Sequence, residues 1–468
     1  MSSRPTLLGL GLAFVLVGGG VFVTPCTGQD RPIAHSDAPV RKSHGPALAV
    51  DGDPKTAFET RKGTRVGTLE LIFPEPIAAD TLALVSAAEG GAGTPRDLRL
   101  EVKKGRRFRK IAALKGNFSP RPVLRFPKTT AAQWRIVVSA VVEDRWGLRI
   151  EEATLLSTGG GPLPARPEPH PDERDVNKAI DRGVAWLKTN RLPGGGWKTK
   201  NAKDYPMGVL ALVGLTLKKS GLDRDDPLIQ DLVERVHALP MKKVYSVALQ
   251  AMFLRAVSTK RYTKRLKASA AFLVKSQDSQ GLWGYPTGRA DLSNAQYAIL
   301  GLQAARDVGI KVPKKVFQRC ADALIRDAGP RGGYTYVPIR KGADADPETG
   351  SMTAAALAIF RLCETPLKGD RRRLGKMAKR VKKARAWLDE HFAVEINPGS
   401  GRSHYYWLYG LERVGSFYGW KRVGDRPWYR EGAQSLLNWQ WRDGSWHRSL
   451  EDTCFALLFL NRASLTER

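Results

Sequence analysis

One pattern recurs along the second half of this 468-residue chain and constrains its fold more than any other feature. It reads most clearly in "SQDSQGLWGYPTGRADLSNAQYAILGL", from Ser276 to Leu302. A polar stretch enters a glycine–aromatic turn, a loop ends at Asp291, and an almost unbroken apolar run follows. Gly194-Gly195-Gly196-Trp197 leads in the same way to Asp204 and an apolar run to Leu215. Gly332-Gly333-Tyr334 leads through an acid-rich loop to Ser351, and Gly444-Ser445-Trp446 leads to Asp452 and a run to Leu460. Two degenerate copies, over 230–254 and 380–414, keep the apolar run. Self-similarity of this kind marks an architecture whose units bury their apolar faces only against one another. Each unit predicts a helix ending near the turn and a second helix that is apolar all round, which must be buried. Six such helices bury one another as an inner ring with six more polar helices outside. Residues 175–462 are therefore expected to form an all-α (α/α)6 toroid of six helical hairpins.

Residues 33–157 follow a different period. "TLELIFPEPI", "LRLEVKK" and "QWRIVVSAVV" alternate apolar and polar positions between Pro and Gly turns, which predicts an all-β sandwich. Between the two regions, residues 158–174 are rich in Gly and Pro and read as a semi-stiff linker. At the N-terminus, Arg4 precedes an apolar run from Leu7 to Val23, the layout of a signal peptide or N-terminal anchor over residues 1–28. The expected location is thus exported: periplasmic, cell-surface or secreted, with membrane contact only through that segment if it is uncleaved.

Lys and Arg outnumber Asp and Glu by 76 to 46, a net charge of +30, which attracts polyanions without specifying one. Nine of the fifteen residues from Arg371 to Arg385 are basic, and the expected reading is a solvated outer helix face. No specific nucleic-acid motif is present. Beyond the leader only Cys320, Cys363 and Cys454 remain, too few and too scattered for a disulfide framework, and they are expected in the core.

The β region resembles the discoidin-like (F5/8 type C, galactose-binding-like) domains through "ALAVDGDPKTAFET" and "WRIVVSAVVEDRWGLRIEEATLLS". The resemblance implies a jelly roll whose opening loop holds a structural calcium, with Asp53 and Thr56 as candidate ligands; oxygen donors on a tight turn suit a hard cation. A plain Asp51-Gly52 turn is the alternative. It also implies a glycan or polyanionic envelope component as partner, met by a rim loop where Arg145 and Trp146 would sit. The helical region resembles the prenyltransferase and squalene-oxidase repeat of terpenoid cyclases, prenyltransferase β-subunits and thioester domains. In the cyclase version a Gln and a Trp clamp successive helices, a role that falls here to Gln277, Trp283, Trp439 and Trp446.

The acids and serines ahead of the inner helices have a local explanation, because they cap helix N-termini. Asp204, Asp291, Ser351 and Asp452 are expected to do so, and they would also ring one mouth of the toroid. The chemistry of each relative is incomplete. Asp344-Ala345-Asp346-Pro347 lacks the last acid of a protonating cyclase motif, and the inner helices are expected to carry few aromatic residues. Asp452-Thr453-Cys454 with His404 offers a carboxylate, a thiolate and an imidazole for zinc, with His404 before rather than after the pair; a core Cys454 and a capping Asp452 are the other reading. The thioester motif is absent. The function expected is an exported two-domain binding or scaffold protein with no cofactor beyond that calcium. The alternative is an enzyme in the toroid mouth drawing on Asp291, Asp344, Asp346, His404 and Asp452. It would be a divergent terpenoid cyclase or prenyltransferase-like enzyme, or a lyase or hydrolase of acidic polysaccharide using His404 and Tyr405. That alternative requires at least two of Asp204, Asp291, Asp346, His404 and Asp452 to converge on one pocket.

Overall fold

The computed structural model describes residues 32–462 apart from 54–55, 65, 87–90, 143–146, 160–168, 287 and 339–345. The leader, most of the linker, Arg145, Trp146 and Asp344 lie outside the described residues.

Alternating apolar residues build the first half as strands β1 (Ile33–His35), β2 (Phe58–Glu59), β3 (Gly67–Val85), β4 (Pro95–Lys104), β5 (Arg107–Leu114), β6 (Val123–Val141), β7 (Arg149–Ile150) and β8 (Glu152–Leu156). Among the described residues, all strand pairings are antiparallel. The main sheet runs β1-β3-β6-β4-β5, with β8 on the free side of β3, and β2 pairs with β7. β3 and β6 are long and pair along most of their length, with register shifts between Ile72 and Ile77 and between Ala79 and Thr81. Such bulges bend strands, so the early part of β3 pairs with β1 and its later part with β8. Leu69, Leu71, Leu82, Leu84, Leu100, Trp134 and Ile136 fill the core, and the Trp134 indole donates to the Ala131 carbonyl at 2.9 Å.

The second half is helical: α1 (Glu173–Thr189), α2 (Pro206–Lys219), α3 (Pro227–Ala238), α4 (Val244–Val257), α5 (Thr263–Lys275), α6 (Leu292–Arg306), α7 (Lys314–Arg326), α8 (Gly350–Glu364), α9 (Arg371–His391), α10 (His404–Tyr418), α11 (Trp428–Trp439) and α12 (Leu450–Leu460). The even-numbered helices are nearly buried throughout; α6 exposes little besides Ser293, Gln303 and Arg306 along its length. Each packs on the next even helix, and α12 packs on α2, so the six form a closed cycle of neighbours. The odd helices lie against this cycle and carry the charge. In α9 only Met377, Ala384, Trp387 and Leu388 are buried, leaving its basic residues outward. Cys320, Cys363 and Cys454 are free and buried.

The recurring turn has one geometry. The Trp197, Trp283 and Trp446 indoles and the Tyr334 hydroxyl each donate to the carbonyl ten residues earlier, on the preceding outer helix: Leu187 at 2.7 Å, Leu273 at 2.7 Å, Leu436 at 2.9 Å and Leu324 at 2.9 Å. Gln277 bridges its own turn at Gly281 to Val316 on α7, and Gln440 bridges Gly444 to Ala179 on α1, with every bond between 2.8 and 2.9 Å. Gln440, not Trp439, is thus the counterpart of Gln277; Trp439 meets His404 edge to face at 5.2 Å instead. Gly281 and Gly444 have φ of +93° and +92°, and a Cβ on either would lie 2.4 Å from the carbonyl oxygen of Arg319 or Arg182. Only glycine meets both requirements.

The halves touch through the segment between α9 and α10. Val142 packs with Ala393 and Ile396, and Ile396 also fills the space beside Gly91. Arg121 donates from Nε to the Glu395 carboxylate at 3.1 Å, and Arg426 approaches the same carboxylate at 4.0 Å. Glu395 is 3% exposed. Desolvation opposes its charge, but Arg121 and Arg426 outweigh that and hold its pKa below the ordinary carboxylate range.

Candidate functional site

The N-terminal ends of the even helices surround a cavity of about 760 Å³. α2 contributes Tyr205, its N-cap, and Val209; α4 contributes Tyr245, α6 Ser293 and Tyr297, α8 Ser351 and Met352, α10 Tyr406, and α12 Glu451 and Phe455. Loops add Tyr285, Tyr336, Asp346, Asn397 and Arg402. Six tyrosines and a phenylalanine therefore line it, which overturns the expectation of few aromatics there. The rings run in sequence: Tyr285 to Tyr205 at 6.2 Å, Tyr205 to Tyr245 at 6.2 Å, Tyr245 to Tyr297 at 4.6 Å, Tyr297 to Tyr406 at 6.3 Å and Tyr406 to Phe455 at 5.7 Å. Most meet edge to face, the arrangement aromatic quadrupoles favour. Polar partners fix the rings, as Tyr406 donates to Gln296 at 2.9 Å and lies 3.1 Å from the Ser293 hydroxyl.

Asp291 sits beneath this wall. It pairs with Trp283 in a two-residue ladder and caps α6, accepting from the Asn294 backbone at 2.7 Å and side chain at 2.8 Å. It is 1% exposed. Burial raises its pKa, opposed by the Asn294 bonds and by hydrogen bonding with Tyr336.

The other expected caps are placed differently. The cap of α8 is Thr349, while the Ser351 N–H donates to the Asn397 side chain at 2.9 Å. The cap of α12 is Ser449, and Asp452 stands in the first turn, 3.5 Å from His447. α2 begins at Pro206, with no side-chain cap; Asp204 is exposed and its carbonyl accepts from Lys243. In α8 and α12 the helix starts before the expected residue, so a Thr or Ser takes the bond.

Of the five groups whose convergence an enzyme in the mouth requires, Asp346 alone lines the cavity, and Asp291 lies below it as a cap. His404 is buried with Nε2 2.6 Å from the Val394 carbonyl, and neither it nor Tyr405 reaches the cavity. Among the described residues no group of three His, Cys, Asp or Glu side chains, His404, Asp452 and Cys454 included, is placed to hold a metal ion. Burial pushes the Cys454 thiol up to about 12, opposite to what a thiolate ligand needs. The Glu451 carboxylate accepts from Thr199 at 2.5 Å and Asn201 at 2.8 Å, which holds it against the wall.

A cleft of about 810 Å³ lies between the C-terminal ends of α8 and α10 and the face of α9. Its guanidinium groups are already engaged: Arg361 with Glu364 and the Phe417 carbonyl, Arg385 with Asp389. Trp420 is stacked on Tyr418 at 5.0 Å with Arg385 4.1 Å from its ring. The tyrosine-lined mouth, with its convergent hydroxyl and amide groups, is the better ligand site.

In the loop expected to hold calcium, the Thr56 hydroxyl donates to Asp51 at 2.7 Å and to the Asp53 carbonyl at 3.0 Å, and the Asp53 N–H donates to Asp51. The oxygens are of the type a hard cation takes, and here they close the loop on itself through Asp51. Sequence reasoning missed Asp51 in that role, as it missed the cavity tyrosines and Glu395. Tyr245, Tyr297 and Tyr406 lie within the apolar runs, where each reads as an ordinary core position.

No protein-family model and no curated protein matches this chain. Among solved structures, the CBM32-1 and CBM32-2 domains of ZmpB from Clostridium perfringens, in complex with GalNAc, are similar at 15% identity with a TM-score of 0.26 over 28% of this chain and 35% of that one. This chain therefore spans about a third of that structure. CBM32-5 of GH89 from Clostridium perfringens, with GalNAc-β-1,3-galactose, matches at 18% identity and a TM-score of 0.25 over 27% of this chain and 94% of that one. The family 32 module of NanJ from the same organism, with galactose, matches at 14% and 0.25 over 28% and 96%. No helix among the described residues is long and apolar enough to cross a membrane.

Proposed function

We propose that this is an exported two-domain binding protein. Its β half is a discoidin-like jelly roll that attaches to a sugar-bearing surface, and its helical half is an α/α toroid of the prenyltransferase-repeat type that holds a small molecule in its mouth. The observation that carries the reading is the cavity of about 760 Å³ walled by six tyrosines at the N-terminal ends of the inner helices. Its carboxylates support binding rather than turnover: Asp291 is bound as a cap, Glu451 is held by Thr199 and Asn201, and Asp346 is the one expected acid in the lining, with no second one beside it. Ligand pockets are typically concave and largely apolar, with a few convergent polar groups.

The test is extraction of small molecules from protein purified out of its native host, wild type beside Ser293→Trp, which fills the cavity from α6. A compound present with the wild type and missing from the variant is expected. Equal recovery from both, or none from either, would rule the cavity out as a binding site. For the β half, retention on galactose- and GalNAc-bearing resins is expected for the full chain and lost in Trp146→Ala; the resemblance to discoidin-like domains supports this part, and equal retention of the two proteins would sink it. The calcium reading is part of the same resemblance, with Asp53 and Thr56 as ligands alongside Asp51. Calcium that binds the wild type and Asp51→Ala alike would refute it.

A further inference from the structure

Below the cavity, at the centre of the cycle of inner helices, lies Arg413 of α10. It is 1% exposed, and its Nη1 and Nη2 atoms have no hydrogen-bond partner among the described residues. A guanidinium stays charged in proteins, and a buried charge without a counter-charge is strongly unfavourable. Its surroundings are tyrosines: the Tyr409 ring at 4.2 Å, whose hydroxyl also interacts with the guanidinium, together with Tyr297 and Tyr406. Cation–π attraction offsets only part of such a cost.

Arg413 is seven residues beyond Tyr406, so the two share one face of α10, and helical side chains lean toward the N-terminus. It therefore leans up toward the cavity that Tyr297 and Tyr406 line. The Tyr297 hydroxyl is also buried, with Tyr245 as its polar neighbour. The N-termini of six inner helices face the cavity from all sides and add positive potential there. The carboxylates of Glu451 and Asp346 stand at the rim, where Thr199 and Asn201 hold Glu451, and Asp291 is buried as a cap; none of the three pairs with Arg413.

We propose that the mouth ligand carries an oxyanion, a carboxylate or a phosphate, that reaches the cavity floor and is held by the Arg413 guanidinium with the Tyr297 hydroxyl. This rests on the reading of the mouth as a ligand site and names the chemistry of what enters. The fork of a guanidinium takes two oxygens of such a group at once. The tyrosine faces above would then enclose the remainder of the molecule.

The test uses thermal melts of the full chain at fixed ionic strength, titrated with sodium phosphate or sodium acetate against sodium chloride. A saturable rise in Tm is expected with one of the two anions, and which one responds separates the sources. Arg413→Met should weaken that response at least tenfold. Without the anion, the Met variant should melt no lower than the wild type, because an unpaired charge has gone. Arg413→Lys keeps the charge and loses the fork, and should fold and bind severalfold more weakly, which covers the case of a poorly folding Met variant. A response in Arg413→Met equal to the wild type, or none in the wild type, would overturn the proposal. Ser293→Trp tells the two readings apart: an anion response lost in Arg413→Met and intact in Ser293→Trp would leave the Arg413 site standing and remove the mouth as its entrance.

Discussion

Gln440 and Ala179 are 261 residues apart in sequence, yet the Gln440 amide donates to the Ala179 carbonyl at 2.8 Å. The bond ties the last helical unit to the first. Its counterpart, Gln277 to Val316, ties neighbouring units at 2.9 Å. Each amide nitrogen uses both of its hydrogens, one within its own turn and one across to the next outer helix. Ring closure therefore uses the same joint as the step from the Gly281 turn to α7.

Gln440→Ala and Gln277→Ala are expected to destabilise the helical half to a similar degree, each by about 1–3 kcal/mol for the two hydrogen bonds lost. Urea denaturation followed by far-UV circular dichroism measures both. A closing joint that cost nothing would show that the cycle is not held at Gln440.

Gly281→Ala and Gly444→Ala should be damaging through the same geometry. Each combines a left-handed backbone with a Cβ placed 2.4 Å from a carbonyl oxygen. A loss of about 2–4 kcal/mol is expected from strain together with overpacking. Gly309→Ala is the control: its φ is +82°, but nothing lies within 4 Å of an added Cβ. It should cost only about 1 kcal/mol.

Much of this was legible because it is local. A ten-residue span from Leu273 to Trp283, or from Leu436 to Trp446, holds the turn, its glycine and the carbonyl the indole needs. The apolar runs announced buried helices for the same reason. Caps were less legible, because the first residue of a helix depends on the loop before it: Thr349 and Ser449 took bonds expected of Ser351 and Asp452. The cavity was hidden, since its tyrosines are spread over several units and each alone resembles an ordinary core or loop residue.

Asp291 makes the stability pH-dependent. Its folded-state pKa is raised by burial above an unfolded value of about 3.9. Between those values the folded chain holds a proton that the unfolded chain has released. Its contribution is thus most favourable below about pH 4 and is lost as pH rises through the raised pKa. Asp291→Asn keeps an acceptor for the cap and does not titrate. The wild type should lose stability relative to this variant on going from pH 4 toward 7, as read by denaturation midpoints. A difference independent of pH would contradict the buried-acid assignment.

Arg121→Ala removes the nearest cation from Glu395, leaving that buried carboxylate with Arg426 at 4.0 Å. Losing one partner of a fully buried pair costs about 3–5 kcal/mol, and less is expected here because Arg121 is partly solvated. Calorimetry should show the β half and the helical half melting further apart than in the wild type. For Glu395 the folded pKa is depressed, so its contribution is present above the unfolded carboxylate pKa and fades as pH falls through the folded one.

The segment that carries Glu395 has two sides. Glu395 and Ile396 face the β half, while Asn397, Ser400, Arg402 and Ser403 line the mouth. The cavity wall is therefore also the bearing on which the sandwich rests. A substitution that shifts Glu395 or Ile396 therefore reaches the cavity wall one residue later, at Asn397, so the seating of one half and the shape of the other's mouth are a single variable.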